Sequence, residues 1–326
     1  MIMSDFPVAR SHADASVIRP EISVIIPVYN TAGTLPATIR SVCEQTFGAF
    51  EIIAIDDGST DNSLAVLLGL AAEDSRIRVI SRRNAGVSSA RNMGVDMASA
   101  PLVAFLDADD LWARNKLASH IALHRDEPAL AASYARIAFI AEDAEGLEGA
   151  RTVSSLSPQP PRLADVLGEN PVCTASNLVV RRDWFLRVGG FDERLTFAED
   201  QEFVARLVSQ GGKVDGIDGV LTGYRFSPDG LSMDLAKMHA GWRILVDRYI
   251  EDAASRAALE ALYCRYLARR VLRSGGRPVR ALRYVMDGLR LDARSFLAER
   301  RRGLSTVAAV LVAPLLTATM RRRLFA

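Results

Sequence analysis

Four short runs of aliphatic and β-branched residues, spaced by stretches of helical character, constrain this chain more than any other feature. The runs are ISVIIP at 22–27, EIIAID at 51–56, IRVIS at 77–81 and LVAFLD at 102–107, and the helix-like stretches fall at 34–45, 62–73 and 87–99. Continuous apolar runs of this length suit strands buried on both faces. Their alternation with helices predicts βαβ units and a mostly parallel, Rossmann-like sheet flanked by helices, an α/β fold. Pro27 reads as the end of the first strand, because proline cannot donate to a central ladder. Ligands of such sheets bind beyond the carboxyl ends of the strands, so the chemistry is expected there.

Three strand ends carry suitable groups. The first run leads into Val28, Tyr29 and Asn30, the second into Asp57, Gly58, Ser59, Thr60 and Asp61, and the fourth into Asp107, Ala108, Asp109 and Asp110. DDGSTD also fits an ordinary strand-to-helix loop with a capping Asp61 or Thr60. DADD is harder to explain by turn chemistry, because three carboxylates within four residues repel one another unless a cation neutralises them. Hard oxygen donors in a short cluster suit Mg²⁺ or Mn²⁺, which take the rest of their shell from water and substrate phosphates. That combination points to a nucleoside diphosphate group.

The motifs SVIIPVYN (23–30), IDDGSTDNS (55–63), RNAGVSSARNMGVDMA (83–98), VAFLDADDLW (103–112) and GGFDERLTFAEDQEF (189–203), in that order, resemble the family 2 glycosyltransferases of the GT-A fold. The resemblance spans about residues 20 to 230 and implies an inverting enzyme that moves one sugar from a nucleotide donor to an acceptor hydroxyl. Position by position, it implies that Pro27, Tyr29 and Asp57 hold the base, with Asp57 bonding to uracil in a UDP-sugar. An aromatic face such as that of Tyr29 can cover a planar base. It places Arg91 near the phosphates, Asp107 and Asp109 in the DxD motif, with Asp109 as ligand of a divalent cation (Mn²⁺ or Mg²⁺) and Asp107 contacting the metal or the ribose, and Asp110 beside the sugar hydroxyls. An inverting displacement also needs a carboxylate to take the acceptor proton. Asp200 matches the family's general base, Glu199 is expected to orient the acceptor or the base, and an acidic first turn favoured by the helix dipole is the plainer account of both. Gly189 and Gly190 fit a turn delivering them. Arg225 is expected to meet the leaving phosphates. Two residues on, where a histidine is common in the family, stands Ser227, a poor metal ligand. No QxxRW run follows, so addition of a single sugar is expected rather than processive synthesis.

Other chemistries lack their signatures. There is no HExxH, no GxSxG and no Walker loop, and the three cysteines are far apart with no metal-ligand spacing, as in a reducing cytosol. His120 and His124, at helical spacing beside Arg125, read as a solvated face. Trp112 reads equally well as a cover for the sugar or as packing. A sugar nucleotidylyltransferase would show a glycine-rich basic loop after the first strand, and TAGTLPATIR is not one. A non-catalytic glycan-binding or scaffold protein of this fold is the remaining alternative, disfavoured because Asp57, Asp109 and Asp200 are all present.

The net charge of +1 conceals a division: residues 240–326 hold 18 arginines, no lysine and 7 acids, a net +11, and the remainder carries −10. The expected organisation is a flexible leader at 1–20 without a signal peptide, a catalytic domain at 21–239 and an Arg-rich helical region at 240–326. The catalytic domain divides into a nucleotide-sugar half at 21–112 and an acceptor half at 113–239. Helices are expected at 254–273 and 277–291. The uncharged segment 304–320 lies between arginine triplets; its length of roughly 25 Å falls short of a bilayer core of about 30 Å, and it contains Pro314. It reads as an interfacial helix on an anionic membrane surface, which puts the chain in the cytoplasm, peripheral on the membrane's cytoplasmic face, or as a helix packed on the catalytic domain. No nucleic-acid recognition module is visible, and the acceptor is expected to be a glycan or lipid-linked glycan of cell-surface polysaccharide assembly.

Overall fold

A computed structural model describes residues 19–148, 150, 152–156, 159–225, 234–317, 320–321 and 324. Ser227 lies outside the described residues, as does the leader through residue 18. The strands are β1 (Ile22–Val28), β2 (Phe50–Asp56), β3 (Ile77–Ser81), β4 (Leu102–Phe105), β5 (Leu111–Trp112), β6 (Leu130–Ile140), β7 (Thr152–Val153), β8 (Val179–Arg181) and β9 (Lys213–Arg225). Around them pack α1 (Leu35–Cys43), α2 (Ser63–Glu73), α3 (Val87–Asp96), α4 (Lys116–Asp126), α5 (Leu163–Gly168), α6 (Arg182–Val188), α7 (Glu199–Ser209), α8 (Leu235–Tyr249), α9 (Ala253–Arg273), α10 (Pro278–Phe296) and α11 (Arg300–Val312).

The sheet order is β3-β2-β1-β4-β8-β6-β9-β5, with β7 paired to β6. The expected parallel arrangement holds through β3-β2-β1-β4; beyond it the sheet turns mixed, since β8 runs antiparallel to both β4 and β6. Period-two alternation in β1 sends Ile25 to one face and Val24 and Ile26 to the other, and each face has its own packed cluster. Each such buried aliphatic contributes about 1.5–3 kcal/mol of transfer free energy.

Pro27 does not end β1, as its chemistry suggested; the strand continues to Val28. The Ile25 carbonyl accepts from Leu106, so odd positions of β1 face β4, and β4 pairs with β1 only as far as Ile25. The N–H that proline lacks would therefore point past the end of β4, where no ladder partner stands.

His120 and His124 correct the sequence reading too. Both are buried, as is Lys116 one turn earlier on α4. The His120 ring lies 2.7 Å from Ser133 Oγ and 3.2 Å from Lys116 Nζ, and His124 Nε2 lies 3.0 Å from the same hydroxyl. Burial lowers all three groups, Lys116 to about 7 and His124 to about 4, so burial disfavours charge throughout this space between α4 and β6. Helical spacing identified the face correctly and its environment wrongly. Trp112 is buried, its Nε1 donating to the Ser176 carbonyl at 2.8 Å, which decides its role as packing.

The arginine-rich helices are built into the same core. Trp242 of α8 is buried, stacks on Tyr263 of α9 with ring centroids 4.6 Å apart, and donates to the Leu167 carbonyl at 2.6 Å. α9 and α10 begin where expected, and α10 is kinked at Asp292, whose backbone is non-helical (φ −157°, ψ 98°), so its first part ends where expected and a last turn runs on to Phe296. α11 differs from expectation: it starts within the arginine triplet at Arg300, ends at Val312 and gives way to a single 3₁₀ turn containing Pro314. Gly303 lets it approach α10, since a Cβ there would meet the Phe296 carbonyl oxygen at 2.8 Å. Thr306, Val310 and Ala313 face inward, whereas Leu304, Leu311, Val312 and Leu315 are exposed. No helix among the described residues is long and apolar enough to cross a membrane.

Candidate active site

The loops after β1 and β2 are laced together. Asn30, with φ +53°, accepts from the backbone N–H groups of Thr60 at 2.7 Å and Asp61 at 3.3 Å, and its own N–H donates to Ser59 Oγ at 3.1 Å. Asn and Asp visit this left-handed region most readily among residues with a Cβ, which suits the turn. Tyr29 leaves the strand beside it with about half its surface exposed (49%), while Pro27 is buried. Asp57, also buried, accepts from Arg82 Nε at 2.7 Å, from Gly86 N at 2.9 Å and from Ala85 N at 3.1 Å. Ala85 N also reaches the second oxygen, at 3.3 Å, so each carboxylate oxygen has two contacts and this long, shared one is the weakest of the four. Arg82 was missed in the sequence, although its place just after β3 was the available signal.

The DADD turn follows β4 and is held from both sides. Thr34, just ahead of α1, and Thr38 within it donate to the Ala108 carbonyl at 2.9 and 3.0 Å, and Thr38 also donates to the Asp110 carbonyl. Arg225, buried at the end of β9, donates from its backbone to Asp110 Oδ1 at 2.9 Å, from Nε to the Asp109 carbonyl at 2.6 Å, and from Nη1 to the carbonyls of Glu142 and Ala144. Its Nε and Nη1 donors are thus occupied by backbone oxygens. The second Asp110 oxygen is buried without a partner. Burial and the neighbouring Asp107 push Asp109 up to about 6, and burial with Asp109 and Asp107 raises Asp110 well above the usual carboxylate range. Uncompensated carboxylate charge of this kind fits a hard cation. The described residues contain no cluster of three metal-ligating side chains, so water or substrate oxygens would have to complete its shell.

Arg91 joins this turn to the other acidic segment. Its guanidinium is buried and forked, donating to Asp107 Oδ1 at 2.6 Å and to Glu199 Oε1 at 2.9 Å, with Phe191 5.3 Å away beneath it. Gly189 and Gly190 both take positive φ; at Gly190 a Cβ would stand 2.7 Å from Asn92 Oδ1 on α3. Ala198 follows with φ +60° and launches α7, whose first two residues are Glu199 and Asp200. A left-handed alanine is strained, and such strain collects where a side chain must be aimed. Burial and the adjacent Glu199 push Asp200 up to about 7, while Arg91 pulls the other way. Asp57, Asp107, Asp109, Glu199 and Asp200 are therefore each fixed at a strand or helix end, and Arg91 ties two of these ends together.

Residues 23–189, just over half of the chain, match the family model described as glycosyl transferase family 2. The chain belongs to that family. Among relatives of this family 2 chain, a glycosyltransferase from Rickettsia bellii is 40% identical over 112 residues, which are 34% of this chain and 16% of that protein. The UDP-Glc:alpha-D-GlcNAc-diphosphoundecaprenol beta-1,3-glucosyltransferase WfgD of Escherichia coli is 40% identical over 103 residues, 31% of this chain and 40% of WfgD. The family 2 chain thus spans less than half the length of these curated relatives. Staphylococcus aureus TarS residues 1–349, solved with UDP-GlcNAc, superposes with a TM-score of 0.58 at 18% identity, covering 89% of this chain and 90% of TarS 1–349. At that identity the likeness establishes a shared GT-A fold. The mannosyltransferase PcManGT from Pyrobaculum calidifontis, solved with GDP-Man and Mn²⁺, superposes at 0.51 with 19% identity, covering 93% of this chain and 78% of that one.

Proposed function

We propose that this chain is an inverting glycosyltransferase that moves one sugar from a nucleoside-diphosphate sugar, a UDP-sugar by preference, onto a hydroxyl of a glycan or lipid-linked glycan acceptor. The observation that carries the reading is the Arg91 bridge: one buried guanidinium fixes a carboxylate of the DADD turn and a carboxylate beside Asp200. In this reading 21–239 carries the catalysis and 240–326 is built against it. Tyr29 covers the base at the end of β1, Asp57 takes the base N–H in place of its long, shared contact with Ala85 N, and Asp110 steers the sugar hydroxyls. Asp109 and Asp107 would hold Mg²⁺ or Mn²⁺, which when bound neutralises charge on the departing diphosphate. Asp200 accepts the proton of the attacking hydroxyl, in one displacement that breaks the anomeric C–O bond as the new one forms. Glu199 raises the basicity of Asp200 and, held by Arg91, keeps it in place. We assign Arg225 to clamping the DADD turn, because its donors face carbonyls.

Calorimetric titration of the full chain with UDP tests the donor side. Binding is expected to tighten by about tenfold or more with Mn²⁺, since neutralising a carboxylate-diphosphate repulsion is worth at least about 1.4 kcal/mol. Binding indifferent to the metal would sink the site as assigned.

The same reading includes peripheral attachment to an anionic membrane. Leu304, Leu311 and Leu315 form an exposed apolar stripe on and just beyond α11, and Arg300 and Arg301 are exposed at its start. Apolar insertion with basic flanks, each worth about 1 kcal/mol near an anionic surface, is the physics of interfacial helices. The chain is expected to float with phosphatidylglycerol vesicles. The triple change Leu304→Ser, Leu311→Ser and Leu315→Ser, which leaves the packed face intact, should keep it at the bottom of the gradient. A wild-type chain that ignores anionic vesicles would refute the attachment.

A further inference from the structure

The densest positive charge with no role so far lies near the carboxyl end of α9, where Arg265, Arg269, Arg270 and Arg273 adjoin Arg302 of α11. Two carboxylates serve this group, Glu169 and Glu299, and both are bound by the same two arginines. Arg265 reaches Glu169 at 2.9 Å and Glu299 at 3.3 Å, and Arg302 reaches them at 2.9 and 3.4 Å. Arg270 donates to the phenol oxygens of Tyr266 at 3.0 Å and Tyr224 at 3.3 Å. Arg269 and Arg273, one helical turn apart and both half-buried, make no hydrogen bond or ion pair among the described residues; Arg273 lies 5.0 Å from the Phe139 ring centroid.

Like charges at this spacing destabilise a helix, and taking a guanidinium partly out of water with no carboxylate in direct contact adds to the cost, which the more distant Glu169 offsets only in part. Burial and the adjacent Arg273 bring Arg269 down to about 10, and burial likewise lowers Arg273. The cluster also borders the proposed chemistry. The Cys173 thiol is raised by burial, lowered by Arg270 and Arg273, and raised by Asp200 and Asp110, so it sits within electrostatic reach of both sets. Cys173 itself is held at φ +73°. Guanidinium groups bind a tetrahedral oxyanion with paired hydrogen bonds, the chemistry this cluster offers.

We propose that Arg269 and Arg273, flanked by Arg270 and Arg302, bind the phosphate or diphosphate of an anionic acceptor and hold its sugar end toward Asp200. This deepens the glycosyl-transfer reading and rests on it for the word acceptor. The anion has two possible sources, a prenyl diphosphate in a membrane or a phosphate carried by a water-soluble glycan.

The full chain in EDTA, which removes any cation from the DADD turn, is titrated with inorganic pyrophosphate and separately with farnesyl diphosphate. Saturable binding of both is expected, weakened about tenfold or more in Arg269→Gln/Arg273→Gln. The pair Arg280→Gln/Arg283→Gln, exposed on α10, removes the same charge and is expected to change nothing. Because the first pair removes mutually repelling cations, it should melt no lower than wild type. Should it misfold, the two single changes carry the test, each weakening binding severalfold. Absent binding, unchanged affinity in the α9 variants, or an equal loss in the α10 pair would each overturn the proposal. Tighter binding of farnesyl diphosphate than pyrophosphate assigns the lipid source, and equal binding the soluble one. The UDP titration of the same samples stands apart: its failure removes the donor reading and leaves the anion result in place.

Discussion

Asp200→Asn is expected to lower turnover about a thousandfold, within the range that a positioned general base supplies, while UDP affinity stays at the wild-type level. The asparagine keeps the shape and the hydrogen bond that Asp200 Oδ1 accepts from the Gln201 N–H at 2.6 Å, so the loss reads the proton transfer rather than the fold. The pH profile sharpens the test. A base must be ionised, and Asp200 is pushed up to about 7 by burial and Glu199. The value of kcat/KM should therefore rise with pH through about 7 and level off above it. Glu199→Gln removes a charge that raises Asp200 and releases Arg91 to act on it, so both effects move the inflection to lower pH. Turnover retained in Asp200→Asn, or a flat profile between pH 6 and 8, would remove Asp200 from the role.

Arg91→Met should cost about 3–5 kcal/mol of unfolding free energy, the penalty for stripping a buried ion network of its shared partner. The methionine fills most of the space over Phe191, but Asp107 and Glu199 are left facing each other without their cation. Arg91→Lys should recover only part of the loss, because an ammonium cannot present a planar fork to two carboxylates at once. Adding Asp107→Asn and Glu199→Gln to Arg91→Met should restore much of the stability while leaving turnover low. Urea unfolding measures this directly; a loss below about 1 kcal/mol would mean that solvent already screens the pair.

What could be read in the sequence was what depends on neighbours along the chain. The buried runs, the helices between them and the carboxylates at their ends all follow from local periodicity and turn chemistry, and the structure has them within a few residues. What could not be read depends on partners far away. Arg91 and Glu199 are separated by 108 residues, Asp57 and Arg82 by 25, and no spacing rule links them. His120 and His124 show the same limit: their spacing defines one helical face, but only the tertiary position of Ser133 and β6 makes that face an interior one. Pro27 was misread for a related reason, since its neighbour β4 stops short of it, and strand length is set by pairing.

The packing of Trp242 and Tyr263 across α5 bears on how new acceptor preferences can be built on this scaffold. The family-matched segment stops at residue 189, yet the helix bearing Asp200 begins ten residues later and shares one continuous core with α5, α8, α9 and α10. A chimera cut at the edge of the matched segment would split that core and leave α7 seated on foreign side chains. An exchangeable cassette has to start ahead of α5 and run through α10, so under the proposed function catalytic aim and acceptor choice would be inherited as one block.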